Sequence, residues 1–118
     1  MLKQHEYQTE NERLWEMLLQ FIKEENKEAI EKVRTKLNRN QLLFEQEGSE
    51  YELEIHIIAN GCCEECKAID EKVVQIKDEL KNQTLPYNQC IRPHTGCVCC
   101  YTMRVKFDKN DDPVMRKP

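Results

Sequence analysis

The chain has 118 residues, 34% of them charged and 39% hydrophobic, with a net charge of −4 and seven cysteines. That length allows one ordinary domain, or a helical piece joined to a small metal-stabilised one, and no run approaches the roughly 20 apolar residues of a membrane span. With no apolar segment following Met1-Leu2-Lys3-Gln4, the expectation is a protein of the reducing cytoplasm, where clustered cysteines hold metal more often than they form disulfides.

Thr9-Glu10-Asn11-Glu12 reads as a capping box, in which the Thr9 hydroxyl accepts from the Glu12 amide and the Glu12 carboxylate reaches back to the Thr9 amide. Leu14, Trp15, Leu18, Leu19 and Ile22 follow at helical spacing and predict a helix over 10–24. A second stripe runs through Ala29, Ile30, Val33 and Leu37 towards Leu42-Leu43-Phe44, out of phase with the first. Two helices with a bend near Asn26 therefore fit better than one straight rod. Glu28 to Lys32 and Lys27 to Glu31 are i,i+4 pairs that support the second helix, and Gly48 ends it.

Tyr51, Leu53, Ile55 and Ile57 alternate with Glu52, Glu54 and His56, the period of a strand with one covered face. Asn60-Gly61 marks a turn. Tyr101, Met103, Val105 and Phe107 alternate with Thr102, Arg104 and Lys106 in a second strand. The two are expected to pair antiparallel, with Glu52 and Glu54 opposing Arg104 and Lys106. Between them, Val73-Val74 suggests a short strand, Ile76 to Leu80 one helical turn, and Leu85-Pro86-Tyr87-Asn88 a loop. The polar tail from Asp108 reads as disordered. The fold class expected is α+β: a helical segment over 1–48, a small antiparallel β-ribbon with a zinc knuckle over 49–108, and a disordered tail over 109–118.

Each expected strand touches a knot of cysteines, Cys62-Cys63-Glu64-Glu65-Cys66 and Cys97-Val98-Cys99-Cys100, with Cys90 just ahead of the second. Two short-spaced thiol pairs far apart in sequence suit a tetrahedral zinc, because each pair chelates one edge. Residues 51–107 contain only fourteen Leu, Ile, Val or Phe, and so small a core rarely supplies more than about 3–5 kcal/mol, against an apparent ~10–16 kcal/mol for bound structural zinc. Cys63 and Cys66 are the best ligands, Cys62 being an alternative at a less usual spacing. The rest of the set comes from Cys90, Cys97, Cys99 and Cys100, with His94 between Cys90 and Cys97 as a further candidate. His56 alternates outward and His5 lies near the start.

Other chemistries compete with this one. A redox Cys-x-x-Cys wants a thiol pKa lowered by a helix N-terminus, whereas Glu64 and Glu65 between the thiols raise it. More thiols are present than zinc requires, which leaves a soft-metal carrier for Cu(I) open. Residues 81–107 carry Lys81, Arg92, Arg104 and Lys106 and no acid, a +4 strip. Basic footprints for nucleic acid are larger, and a zinc tetrathiolate would cancel half of this one. No catalytic triad, phosphate loop or carboxylate pair is present, so the chain reads as no enzyme.

Residues 62–105 resemble the cysteine-rich C-terminal segment of phage head-morphogenesis (minor head, portal-associated) proteins. The likeness is carried by Cys63-x-x-Cys66, Ala68-Ile69-Asp70-Glu71-Lys72-Val73, Leu85-Pro86, Cys90, Gly96-Cys97-Val98-Cys99 and Tyr101. It implies a zinc knuckle with Cys63, Cys66, Cys90 and one of Cys97 or Cys99 as ligands, Cys99 being the expected fourth. Glu71 stands where that pattern has Gly, and Cys62 and Cys100 are additions. Residues 1–50 resemble no family. The function expected is a non-enzymatic, zinc-stabilised interaction module of phage derivation, with a protein partner or self-association through Trp15, Leu18, Leu19 and Ile22. The alternatives are a thiol-redox protein or soft-metal carrier, and a zinc-dependent nucleic-acid binder.

Overall fold

The computed structural model describes residues 4–59, 63–92 and 95–116. Helices α1 (Gln4–Lys23) and α2 (Lys27–Gly48) pack as a hairpin. The seam is built from Tyr7, Leu14 and Leu18 on one side and Ile30, Val33 and Leu37 on the other, all buried. Their alternating steps of three, four and seven keep each side chain on the facing stripe. At the far end of the seam the Tyr7 and Phe44 rings meet edge to face, 6.5 Å between centroids, and Asn40 donates its Nδ2 to the Tyr7 carbonyl at 2.9 Å.

The bend expected near Asn26 is present, and its cause is local. The Glu25 amide donates to the Ile22 carbonyl and the Asn26 amide to the Phe21 carbonyl, while Glu25 adopts φ 55°. This is the Schellman closure of a helix C-terminus. Asn26 then starts the next helix, its side chain accepting from the Ala29 amide at 3.2 Å.

The first helix departs from expectation at its start. It is already helical at Gln4, so Thr9 is an interior residue whose hydroxyl donates to the His5 carbonyl at 2.9 Å rather than capping anything. The reason is tertiary: α2 is long enough to pack against Tyr7, and Gln4 donates Nε2 to the Phe44 carbonyl at 3.0 Å. Trp15 and Leu19, counted with Leu18 in one stripe, stay outside the seam at 47% and 64% exposure.

Strand β1 (Leu53–Ile58) is the centre of a three-stranded antiparallel sheet, flanked by β2 (Val73–Val74) and β3 (Cys100–Val105) in the order β2-β1-β3. Helix α3 (Ile76–Lys81) follows β2. Glu54 stands opposite Arg104 in the register, and Lys106 Nζ lies 4.0 Å from Glu52, as the alternation predicts. The covered face presents Ile55, Ile57 and Tyr101 to a core that also takes Leu42 from α2. Of the segment expected to be a disordered tail, residues 109–116 instead fold back beside the stretch that leads into β1. Glu52 donates its amide to Val114, Val114 donates to Lys106, and Phe107 bridges Pro113. The turn that allows this is tied by the Asp108 carboxylate, which accepts from the amides of Asn110 and Asp112.

Candidate metal centre

The first thiol pair is delivered by the end of β1 and the turn after it. A 3₁₀ turn, Glu65–Ile69, follows Cys63, with the Cys66 amide donating to the Cys63 carbonyl at 3.1 Å. Asp70 closes this turn onto the strand by accepting from the Ala59 amide at 2.8 Å. Glu71 then takes φ 63° and sends its amide back to the Ile57 carbonyl, which starts the β2 pairing.

Cys90 is set by the loop after α3. The buried Glu79 carboxylate accepts from the Thr84 amide and hydroxyl and, at 2.7 Å, from the Tyr101 hydroxyl. A buried carboxylate must have its oxygens satisfied, so this network pins the loop against β3. Burial, with the Glu79 carboxylate beside it, drives the Tyr101 pKa well above the ordinary phenol range. The second knot is held against α2: Arg34 donates Nε to the Thr95 carbonyl at 2.7 Å. Gly96 has φ +70°, and a Cβ there would meet the Ile30 methyl at 3.2 Å. Only glycine takes that backbone at so close an approach without cost.

These supports gather five sulfurs. Cys63, Cys66 and Cys90 form one group, and Cys66, Cys97 and Cys99 another, every sulfur within 4.8 Å of the others in its group. Cys63 Sγ lies 3.4 Å from Cys66 Sγ and 3.7 Å from Cys90 Sγ. A disulfide needs about 2.05 Å, so no disulfide joins these three sulfurs to one another. Thiolates on one zinc, at a Zn–S distance of about 2.3 Å, stand about 3.8 Å apart along a tetrahedral edge. The donor set and its spacing suit a metal ion.

Backbone amides are aimed at the sulfurs. The Ile91 amide is the main cause that lowers Cys63 to a pKa of about 6, against some desolvation, the reverse of the rise expected from Glu64 and Glu65. Cys90 goes the other way, pushed up to about 12 by burial, against which the Arg92 amide works. The Tyr87 amide donates to Cys97 Sγ at 3.4 Å. Amide donors of this kind stabilise a thiolate whether a proton or a metal has left or arrived.

The residues singled out from sequence separate clearly. Cys63, Cys66 and Cys90 meet as expected. Cys99 joins Cys66 in the other group, beside Cys97, and both are buried. Cys100 is exposed on β3 and belongs to neither group. Cys62, His94 and the Asn60-Gly61 turn lie outside the described residues. His56 bonds Glu54 on the outer face at 2.7 Å. The basic strip is spread out, with Arg104 opposite Glu54, Lys106 near Glu52, and Arg92 bonded to Thr95. Sequence reasoning missed Glu79, and named Asp70 and Gly96 only as part of a resemblance, without the roles they take here. A glycine next to a cysteine knot was a visible signal for Gly96, whereas Glu79 meets Tyr101 across 22 residues with no local mark.

No helix among the described residues is long and apolar enough to cross a membrane. Comparison with family models, with curated proteins and with solved structures found no match.

Proposed function

We propose that the thiol cluster binds zinc as a structural metal and that the protein is a non-enzymatic interaction module. The observation that carries this is the convergence of cysteines from two distant segments at separations close to the edge of a zinc tetrathiolate. The thiols are also the packing centre of the β half, where Cys66, Cys97 and Cys99 are buried together with Ile57 and Leu85. A metal there contributes to folding directly, since the ligands cannot pack with their charge uncompensated. The resemblance of residues 62–105 to phage head-protein segments supports the same reading.

Partner contact falls to the hairpin. Trp15 and Leu19 are large, apolar and exposed on α1, and Trp is among the residues enriched at binding hot spots. The test of the metal is elemental analysis of native protein purified under reducing conditions. Zinc at one equivalent or more per chain is expected. Protein that is folded and free of metal, with all its thiols titratable, would remove the reading.

A further inference from the structure

We infer that the cluster holds two thiophilic d10 cations, with Cys66 as their common ligand. This rests on the metal reading above and adds its capacity and layout. The five sulfurs do not form one cage. They form two three-sulfur groups that share a corner, and no four of them lie mutually within the same 4.8 Å limit among the described residues. A single tetrahedron would have to draw a sulfur out of one group to complete the other. A thiolate keeps enough lone pairs to bind two cations, and Cys66, wholly buried at 0% exposure, sits where both groups meet.

Charge favours the same count. Five thiolates around one divalent ion leave three uncompensated negative charges, and around two ions only one. Burying unpaired charge is costly, and Cys97, Cys99 and Cys66 are all buried. Access agrees as well. A cleft of about 280 Å³ between α2 and the loop after Pro86 is lined by Cys90 and by Cys97, one from each group, so both groups can be reached from solvent through the same opening. Lys27, Arg34 and Arg92 also line it, with Glu31 as the one acid, which places net positive charge beside the thiols. The remaining position on each cation is filled by a donor from outside the five.

The test is to strip the full chain of metal under reducing conditions, reload it with Zn²⁺ or ¹¹³Cd²⁺, and weigh it by native mass spectrometry. Two ions per chain are expected, and two cadmium resonances that split one another through the shared sulfur. Cys90→Ser and Cys97→Ser should each reduce the count to one, and neither touches the shared ligand. Cys66→Ser should lose both the splitting and tight binding of either ion. Saturation at one ion in the unsubstituted chain would overturn this inference and leave the zinc scaffold standing. Two ions retained in Cys90→Ser or Cys97→Ser would overturn it too, by moving the second ion elsewhere. No binding of either metal would remove both readings.

Discussion

Glu71 carries a charged side chain at φ 63°, where the Cβ of an L residue crowds its own carbonyl. The position is fixed from both sides, by the Glu71 amide bonded to Ile57 and the Lys72 amide bonded to Ile69. The turn therefore cannot relax, and the left-handed backbone costs about 1 kcal/mol relative to glycine. Glu71→Gly should raise stability by about that amount, read as a higher denaturant midpoint with unchanged slope. An unchanged or lowered midpoint would show that the Glu71 side chain makes up for its own strain. Gly96 is the converse case. Its open backbone is already used, since the methyl of Ile30 and the side chain of Arg34 occupy the space a Cβ would enter.

Asn40 is the polar residue in the seam of the hairpin, 8% exposed, with its amide spent on the Tyr7 carbonyl. Asn40→Ala should cost about 1–2 kcal/mol, because it leaves a carbonyl without its donor and opens a gap beside Tyr7. Thermal unfolding followed by helical circular dichroism reads this, and a loss under a few tenths would mean that water reaches the carbonyl. Much of the hairpin was legible beforehand. The phase break between the two apolar stripes marked Asn26, and the alternation from Tyr51 to Ile57 and from Tyr101 to Phe107 marked the paired strands with their charges opposed. The false start at Thr9 shows the limit. A capping box is a local preference worth about 1 kcal/mol, whereas burying Tyr7 against Phe44 and Asn40 outweighs it from outside the window. The same holds for the thiol groups. Spacing identified the cysteines, but which sulfurs share a neighbour depends on the loops pinned by Asp70, Glu79 and Gly96.

At the scale of the molecule, the apolar interior falls into two clusters. One is the seam of the helices, and the other wraps the sheet and the sulfurs with Leu42 as the contribution of α2. The second includes Cys66, Cys97 and Cys99 among its buried members, so if the thiols hold the proposed metal its removal should weaken this cluster and leave the other's contacts intact. Chelation should raise hydrogen exchange across residues 63–92 and 95–99 while the amides of α1 and of the first half of α2 keep their protection. Uniform loss along the chain would show that the two clusters unfold as one unit.

Helix α2 and the cysteine-rich half are joined by a repeated device. Arg34, Arg39 and Gln41 donate to the carbonyls of Thr95, Leu80 and Tyr101, and Gln83 donates to that of Thr35. Every acceptor is main chain, a group present whatever residue occupies the position. In descendants of this gene the donor sites should resist drift while Thr35, Leu80 and Thr95 are free of that particular constraint. Each of these bonds would then tolerate turnover at its acceptor and not at its donor.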